Sequence, residues 1–362
     1  DYVDTLIKRM TDGKRQMIVT TRQKMQTMIN KRLCEGTKEY EKIKRLKVAF
    51  VVDECHRAVT PDTKRKLERF FGNSLWYGFT GTPIFDENKY EQRGDLPQTT
   101  EQLYGKCLHS YTIKEAIHDE AVLGFMVETL GSKKKVDQVA YESEKHMRSV
   151  LEVILNQSYA KLGMERGKGR SYEGILTVSS IAIAQKYYDL IKKIKAGQDE
   201  LKICEKVRQA LPDFPKFAIT YSVTENDEAS KVNQDKMQES LDDYNEMFGT
   251  KYKVEGINAY NTNLNDRLAR KDKKYNERSQ QLDLVIVVNR LLTGFDAPCL
   301  STLFMDRQPM SPQDIIQAFS RTNRLFDENK TYGQIVTFQS PDEFKDAINN
   351  ALKLYSRGGN AN

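Results

Sequence analysis

The chain has 362 residues, of which 39% are hydrophobic and 30% charged, with a formal net charge of +6. That length fits about two globular domains, and the mild basic excess permits a polyanionic partner without demanding one. Five scattered cysteines with no C-x-x-C pair are uninformative for metals, suggest no disulfide framework and fit a reducing cytoplasm, and no apolar run approaches the ~20 residues of a membrane span.

In chain order, Gln16–Thr21 reads as a short strand, followed by a helix through Met28 and Leu33. A charge-rich segment from Lys38 to Lys47 leads into the apolar run Val48–Val52, which reads as a strand buried on both faces of a parallel sheet. Pro61 starts a helix with Leu67, Phe70 and Phe71 on its apolar face, and Leu75–Phe79 is the next strand. Residues 86–100 are a polar loop. Val127–Leu130 is a short strand, 141–162 a helix and 163–172 a Gly- and Arg-rich loop, so a domain boundary is expected between about 131 and 170. A second alternation follows. Strands are predicted at Gly174–Val178, Phe217–Tyr221, Leu284–Val288, Leu303–Asp306 and Ile335–Phe338, with helices at Ser179–Ile194, Pro312–Phe319 and 342–355. The charged stretch 225–283 is helical in parts. Strands alternating with helices indicate parallel α/β sheets. The basic runs Lys133–Lys135 and Lys271–Lys274 read as solvated faces.

The run Val48–Val52 ends on two carboxylates, Asp53 and Glu54, with His56 two residues on. Open α/β sheets bind ligands at the carboxyl ends of their strands. A carboxylate there can hold hydrated Mg²⁺, and its neighbour can accept a proton from an attacking water. The pair is the acidic half of a nucleotide-hydrolysing site. A Gly-rich loop ending Gly-Lys-Ser/Thr should precede it, and residues 1–47 contain none. The chain also opens on Asp1 without an initiator Met, which suggests a piece of a longer polypeptide.

Five short motifs occur in order: Thr20-Thr21-Arg22-Gln23, Asp53-Glu54-Cys55-His56, Thr80-Gly81-Thr82-Pro83, Leu292-Thr293-Gly294-Phe295-Asp296-Ala297-Pro298, and Gln317-Ala318-Phe319-Ser320-Arg321-Thr322-Asn323-Arg324. Their order resembles motifs Ib, II, III, V and VI of superfamily 2 helicases and translocases. Leu176–Ser180 stands where motif IV would fall. The wording of Gly78–Phe85, with Asp53-Glu54-Cys55-His56-Arg57, looks most like the motor (R) subunit of type I restriction–modification enzymes.

The resemblance implies an α/β fold of two RecA-like lobes with parallel sheets. Residues 1–145 would be the C-terminal part of the first lobe, incomplete at its N-terminus, and 146–362 the second. It implies ATP and Mg²⁺ as cofactors. Asp53 would hold the metal, directly or through water, and Glu54 would orient or deprotonate the attacking water. His56, Thr80, Gly81 and Thr82 would couple nucleotide state to movement, with His56 bonding across to 80–82. Gln317, Gly294 and Asp296 would lie near the nucleotide. Spacings of four and seven put Gln317, Arg321 and Arg324 on one helical face. By resemblance Arg324 is the arginine finger and Arg321 a second phosphate contact, although Ser320 stands where the family commonly has Gly. Thr20, Thr21, Gln23, Thr177, Ser179, Ser180 and Thr293 would touch the nucleic-acid backbone, which such hydroxyls contact without reading bases; helix N-capping explains the serines and threonines equally well.

The implied partners are double-stranded DNA and the methyltransferase and specificity subunits of a type I restriction complex, with no membrane and a cytoplasmic location. A nuclease domain is expected upstream of Asp1. Two other functions fit the same residues: a DNA or RNA helicase of repair or processing type, and a non-catalytic nucleic-acid or subunit-binding module. Without a phosphate-binding loop, the 362-residue chain alone is expected to hydrolyse negligible ATP.

Overall fold

The computed structural model describes residues 2–132, 136–167, 169–222 and 228–356, with side chains 228–230 not described. Lys133–Lys135 therefore lie outside the described residues. The chain divides into two compact units, Asp1–Ser110 and Tyr111–Asn362.

In the first unit, β1 (Val48–Val52) pairs in parallel with β2 (Ser74–Gly78), in register from Val48↔Ser74 to Val52↔Gly78. Parallel neighbours need a crossover, and helix Pro61–Phe70 lies in it. Thr60 caps that helix by accepting from Thr63 N, and Pro61 occupies its first turn, where a missing N–H costs nothing. Phe50 of β1 stacks on Trp76 of β2 at 4.2 Å and meets Phe71 edge-on at 5.5 Å. Leu6, Ile7, Met28, Ile43, Leu67 and Phe70 complete this core. Each fully buried aromatic contributes roughly 1.5–3 kcal/mol.

Two expectations change here. The apolar run of β1 predicts burial on both faces, yet Val51 is 70% and Leu75 61% exposed, because the core covers only the Phe50–Trp76 side. Gln16–Thr21 forms no strand: it has no ladder partner among the described residues, and Met17 and Val19 are exposed.

The second unit holds a six-stranded parallel sheet in the order β3-β8-β7-β4-β6-β5. Its strands are β3 (Gly124–Thr129), β4 (Glu173–Val178), β5 (Phe217–Thr220), β6 (Leu284–Val287), β7 (Leu300–Asp306) and β8 (Tyr332–Thr337). β4, β5, β6 and β7 are buried at every residue, as two-sided coverage of a parallel sheet requires. Helix Ile181–Lys195 is capped by Ser180, which accepts from Ile183 N, and helix Pro312–Phe319 by Ser311, which accepts from Asp314 N.

The division between units falls at Ser110/Tyr111, earlier than the boundary expected near 145/146. The cause is β3, which hydrogen-bonds along β8 and so takes residues 124–129 into the second sheet.

Candidate functional site

In the first unit the site is built on the carboxyl tips of β1 and β2. The ladder continues past the strands: Phe79 N donates to Val52 O at 2.8 Å, and Cys55 N donates to Phe79 O at 2.9 Å. These bonds hold the segments 53–56 and 79–82 side by side. Asp53 is exposed and accepts the Glu54 N–H at 2.9 Å. Glu54 takes a left-handed backbone, φ 48°, uncommon for a residue with a side chain. This turn brings its Oε2 back to 3.4 Å from His56 Nδ1. The His56 imidazole lies 2.7 Å from Thr80 Oγ1, the cross-bond expected from the sequence. Thr80 Oγ1 also accepts from Thr82 N at 3.0 Å, and Tyr90 OH donates to His56 O at 2.7 Å. A chain of contacts thus runs from Glu54 through His56 to the 80–82 turn.

Two features of this corner are not legible in the motif. A Cβ on Gly78 would sit 2.7 Å from Cys55 Sγ, so only glycine lets β2 pass this close. Burial pushes the Cys55 thiol up to about 11, which makes it an inert packing group. Beside His56, a cavity of about 640 Å³ is lined by Arg57, Thr60, Tyr90, Arg93, Leu96 and Pro97 among others.

No cluster of three or more His, Cys, Asp or Glu able to cage a metal occurs among the described residues. Mg²⁺ bound with a nucleotide would need no such cage, because it keeps several waters and takes one or two carboxylates plus phosphate oxygens. An exposed carboxylate at a strand tip meets that requirement, and Asp53 is one.

In the second unit the expected single helical face does not form. Helix Pro312–Phe319 ends before Arg321, and Arg321 N and Thr322 N close turns onto Ala318 O and Phe319 O. Tertiary bonds direct this exit. Arg321 Nε donates to Gln317 O at 3.0 Å and its Nη1 to Phe295 O, while Asn323 O accepts from Leu123 N at 2.8 Å. Gln317 is buried. Gly294, at φ +65°, turns the 293–298 loop so that Asp296 forms an ion pair with Arg324, Nε to Oδ1 3.1 Å. The 293–298 and 317–324 motifs, 20 residues or so apart in the chain, are therefore one spatial cluster.

The proposed backbone-contact residues divide. Thr20, Thr21, Gln23 and Ser179 are exposed. Thr21 caps helix Arg22–Thr27, and Ser180 caps Ile181–Lys195. Thr293 is half-buried. Thr177 is fully buried and donates its hydroxyl to Val288 O at 2.7 Å, so it serves the strand ends and is not offered to a ligand. Lys271 and Lys274 pair with Asp266 and Asp272, as a solvated face does.

Several residues at this end carry no sequence signal. Arg307 reaches over the tips of β4 and β6, donating to Val288 O at 2.9 Å and Asn289 Oδ1 at 2.8 Å. Asp306, buried at the end of β7, accepts from Tyr187 OH at 2.6 Å and Gln339 Nε2 at 2.9 Å, and lies 2.7 Å from His146 Nε2. No helix among the described residues is long and apolar enough to cross a membrane.

The parallel sheets, with polar and charged side chains gathered at their strand tips, define an α/β protein. Residues 1–157 match the family described as SWI2/SNF2 ATPase, and residues 170–340 that described as Type I restriction enzyme subunit R domain 3. The chain is 33% identical over 369 residues to the type I restriction enzyme SauCOLORF180P endonuclease subunit of Staphylococcus aureus (strain COL), covering 97% of this chain. It is 34% identical to the type I restriction enzyme SsaAORF53P endonuclease subunit of Staphylococcus saprophyticus, again over 97% of this chain. The chain spans 36% of the length of each of these relatives. Among solved structures, the ATP-dependent Type ISP restriction-modification enzyme LlaBIII bound to DNA shares the fold, with TM-score 0.50 and 14% identity over 98% of this chain and 23% of that one. Over nearly its whole length the chain is similar to type I restriction enzyme R subunits.

Proposed function

We propose that this chain is the motor segment of a type I restriction enzyme R subunit, and that the full-length protein uses ATP hydrolysis in the cytoplasm to move double-stranded DNA before cleavage. The observation that carries this reading is the extent of the likeness to R subunits, 33% identity over 97% of the chain. The site chemistry supports it independently. Mg²⁺ bound with ATP would neutralise charge on the phosphates. Asp53 would hold that cation. Glu54 orients a water and accepts its proton, and its left-handed turn fixes where that carboxylate points. His56 relays the position of Glu54 to Thr80 and Thr82. Arg321 and Arg324 supply planar, permanently charged groups for a transferring phosphoryl. Gln317 and Gly294 shape the loops that carry them. Thr20, Gln23, Ser179 and Thr293 contact the DNA backbone, and the methyltransferase and specificity subunits supply site recognition.

The test is DNA-stimulated ATP hydrolysis by the full-length protein. Glu54→Gln should lower kcat by about 10²–10⁴-fold, the usual contribution of a general base. A Glu54→Gln variant as fast as the parent would remove Glu54 from the mechanism, and a full-length protein with no DNA-stimulated hydrolysis would remove the motor reading.

A further inference from the structure

Beneath the arginine cluster lies a lysine that none of the motifs contains. Lys330 stands just before β8, only 3% exposed, and its ammonium donates to Pro298 O at 2.6 Å and to Arg324 O at 2.9 Å. One carbonyl ends the 293–298 loop and the other ends the 317–324 motif. We propose that Lys330 is a positioning residue that clamps these two loops together, so that Arg324 and Asp296 meet in the geometry nucleotide hydrolysis requires; the role rests on the ATP-driven reading above.

The clamp is itself held rigid. Lys330 N donates to Asp327 Oδ1 at 3.1 Å, closing the turn that carries it. Asp327 in turn pairs with Arg166 at 2.8 Å and accepts from Tyr172 OH at 2.9 Å, both on the segment leading into β4. The two loops are also joined by Arg321, which bonds Phe295 O. Lys330 adds a second tie between them, at the last residue of each. Burying an ammonium is costly, and an apolar side chain of similar size would pack more cheaply. What an apolar side chain cannot do is bind two carbonyls from different loops at once. Charge-assisted bonds of this kind are roughly twice as strong as neutral ones.

The charged and titratable groups facing Lys330 are Asp327 on its own turn, Glu173 at the start of β4, Cys299 before β7, and Arg324. Burial dominates over the carboxylates and brings the Lys330 ammonium down to about 8. Above that pH the clamp is a neutral amine with weaker bonds.

Two experiments test the clamp. In the 362-residue chain, hydrogen exchange of the amides in 293–299 and 320–326 should speed up together in Lys330→Met, while β4 and β6 stay protected. In the full-length protein, Lys330→Met should lower kcat for DNA-stimulated ATP hydrolysis about tenfold or more with little change in KM, the signature of an interaction that matters in the transition state. Wild type should lose activity on an alkaline limb near pH 8, and Lys330→Arg, whose guanidinium keeps its charge, should retain the rate and lack that limb. Thermal melts of each variant accompany these measurements. If Lys330→Met melts below the assay temperature, the Lys330→Arg profile decides alone, and an alkaline limb unchanged from wild type overturns the proposal. So does unchanged loop exchange in Lys330→Met. Arg324→Ala separates the two layers. If it leaves hydrolysis intact, the ATP reading of this cluster falls. If it abolishes hydrolysis while a folded Lys330→Met keeps full kcat, the positioning role of Lys330 alone falls.

Discussion

Glu173 offers the most quantitative check on the second unit. It is the first residue of β4 and its carboxyl is fully buried. Arg270 Nε lies 3.3 Å from Oε1, but Oε2 has no hydrogen-bond partner. Burial outweighs the attraction of Arg270 and pushes the carboxyl up from 4.5 to about 7. The folded state therefore keeps this proton between about pH 4.5 and 7, where the unfolded chain has released it. A state that binds more protons is favoured at lower pH, so this group's contribution is fully present below pH 4.5 and is lost as pH rises through 7. A rise of this size corresponds to about 3 kcal/mol. Glu173→Gln keeps the shape and never ionises. The stability of the Gln variant relative to wild type should thus climb by about 3 kcal/mol between pH 4.5 and 8, with little further change above. Urea unfolding followed by circular dichroism at pH 5, 6, 7 and 8 measures it. Trp76, the single tryptophan, lies in the first unit, so its fluorescence transition should be the same in both proteins. A difference between variant and wild type that stays constant from pH 5 to 8 would show that the Glu173 carboxyl is not held protonated by the fold.

Three further outcomes are expected. Tyr187→Phe removes the 2.6 Å bond to buried Asp306 and should cost about 1.5–3 kcal/mol in urea unfolding, the worth of a hydrogen bond to a charged group. Gly333→Ala would drive a Cβ into the Thr322 hydroxyl and to 3.1 Å from the Thr322 carbonyl carbon, so it should destabilise by about 1–3 kcal/mol and speed hydrogen exchange in 321–324. Arg307→Ala removes the bonds to Val288 O and Asn289 Oδ1 at the tips of β4 and β6, so it should destabilise by about 1–3 kcal/mol in urea unfolding and speed hydrogen exchange in 288–291.

How much of this could be read from the chain depends on the range of the interaction. β4 and β6 are legible because an apolar run with β-branched residues means the same thing whenever both faces are covered. β1 has the same pattern, but a pattern does not say whether a second packing layer is present, and Val51 remains exposed. Met17-Ile18-Val19 looks like a strand and finds no neighbour to pair with. The His56–Thr80 bond was legible because both residues sit at the tips of adjacent strands. The arginine motif misled in the opposite way. A spacing of seven suits a helix, yet the bonds from Arg321 to Phe295 and from Asn323 to Leu123 end the helix at Phe319. Lys330 and Asp306 were invisible because each is a single charged residue whose meaning lies in distant partners: Asp306 meets His146, 160 positions away. The same limit applies to β3, since only its pairing with β8 assigns residues 124–129 to the second sheet.

In the proposed function the full-length protein moves along duplex DNA by hydrolysing ATP. Displacement of a triplex-forming strand from duplex DNA measures it most directly. ATP-dependent displacement without unwinding of the duplex is expected from the full-length protein, and its loss in Glu54→Gln. Strand separation on DNA or RNA without triplex displacement, or displacement that survives Glu54→Gln, would contradict it.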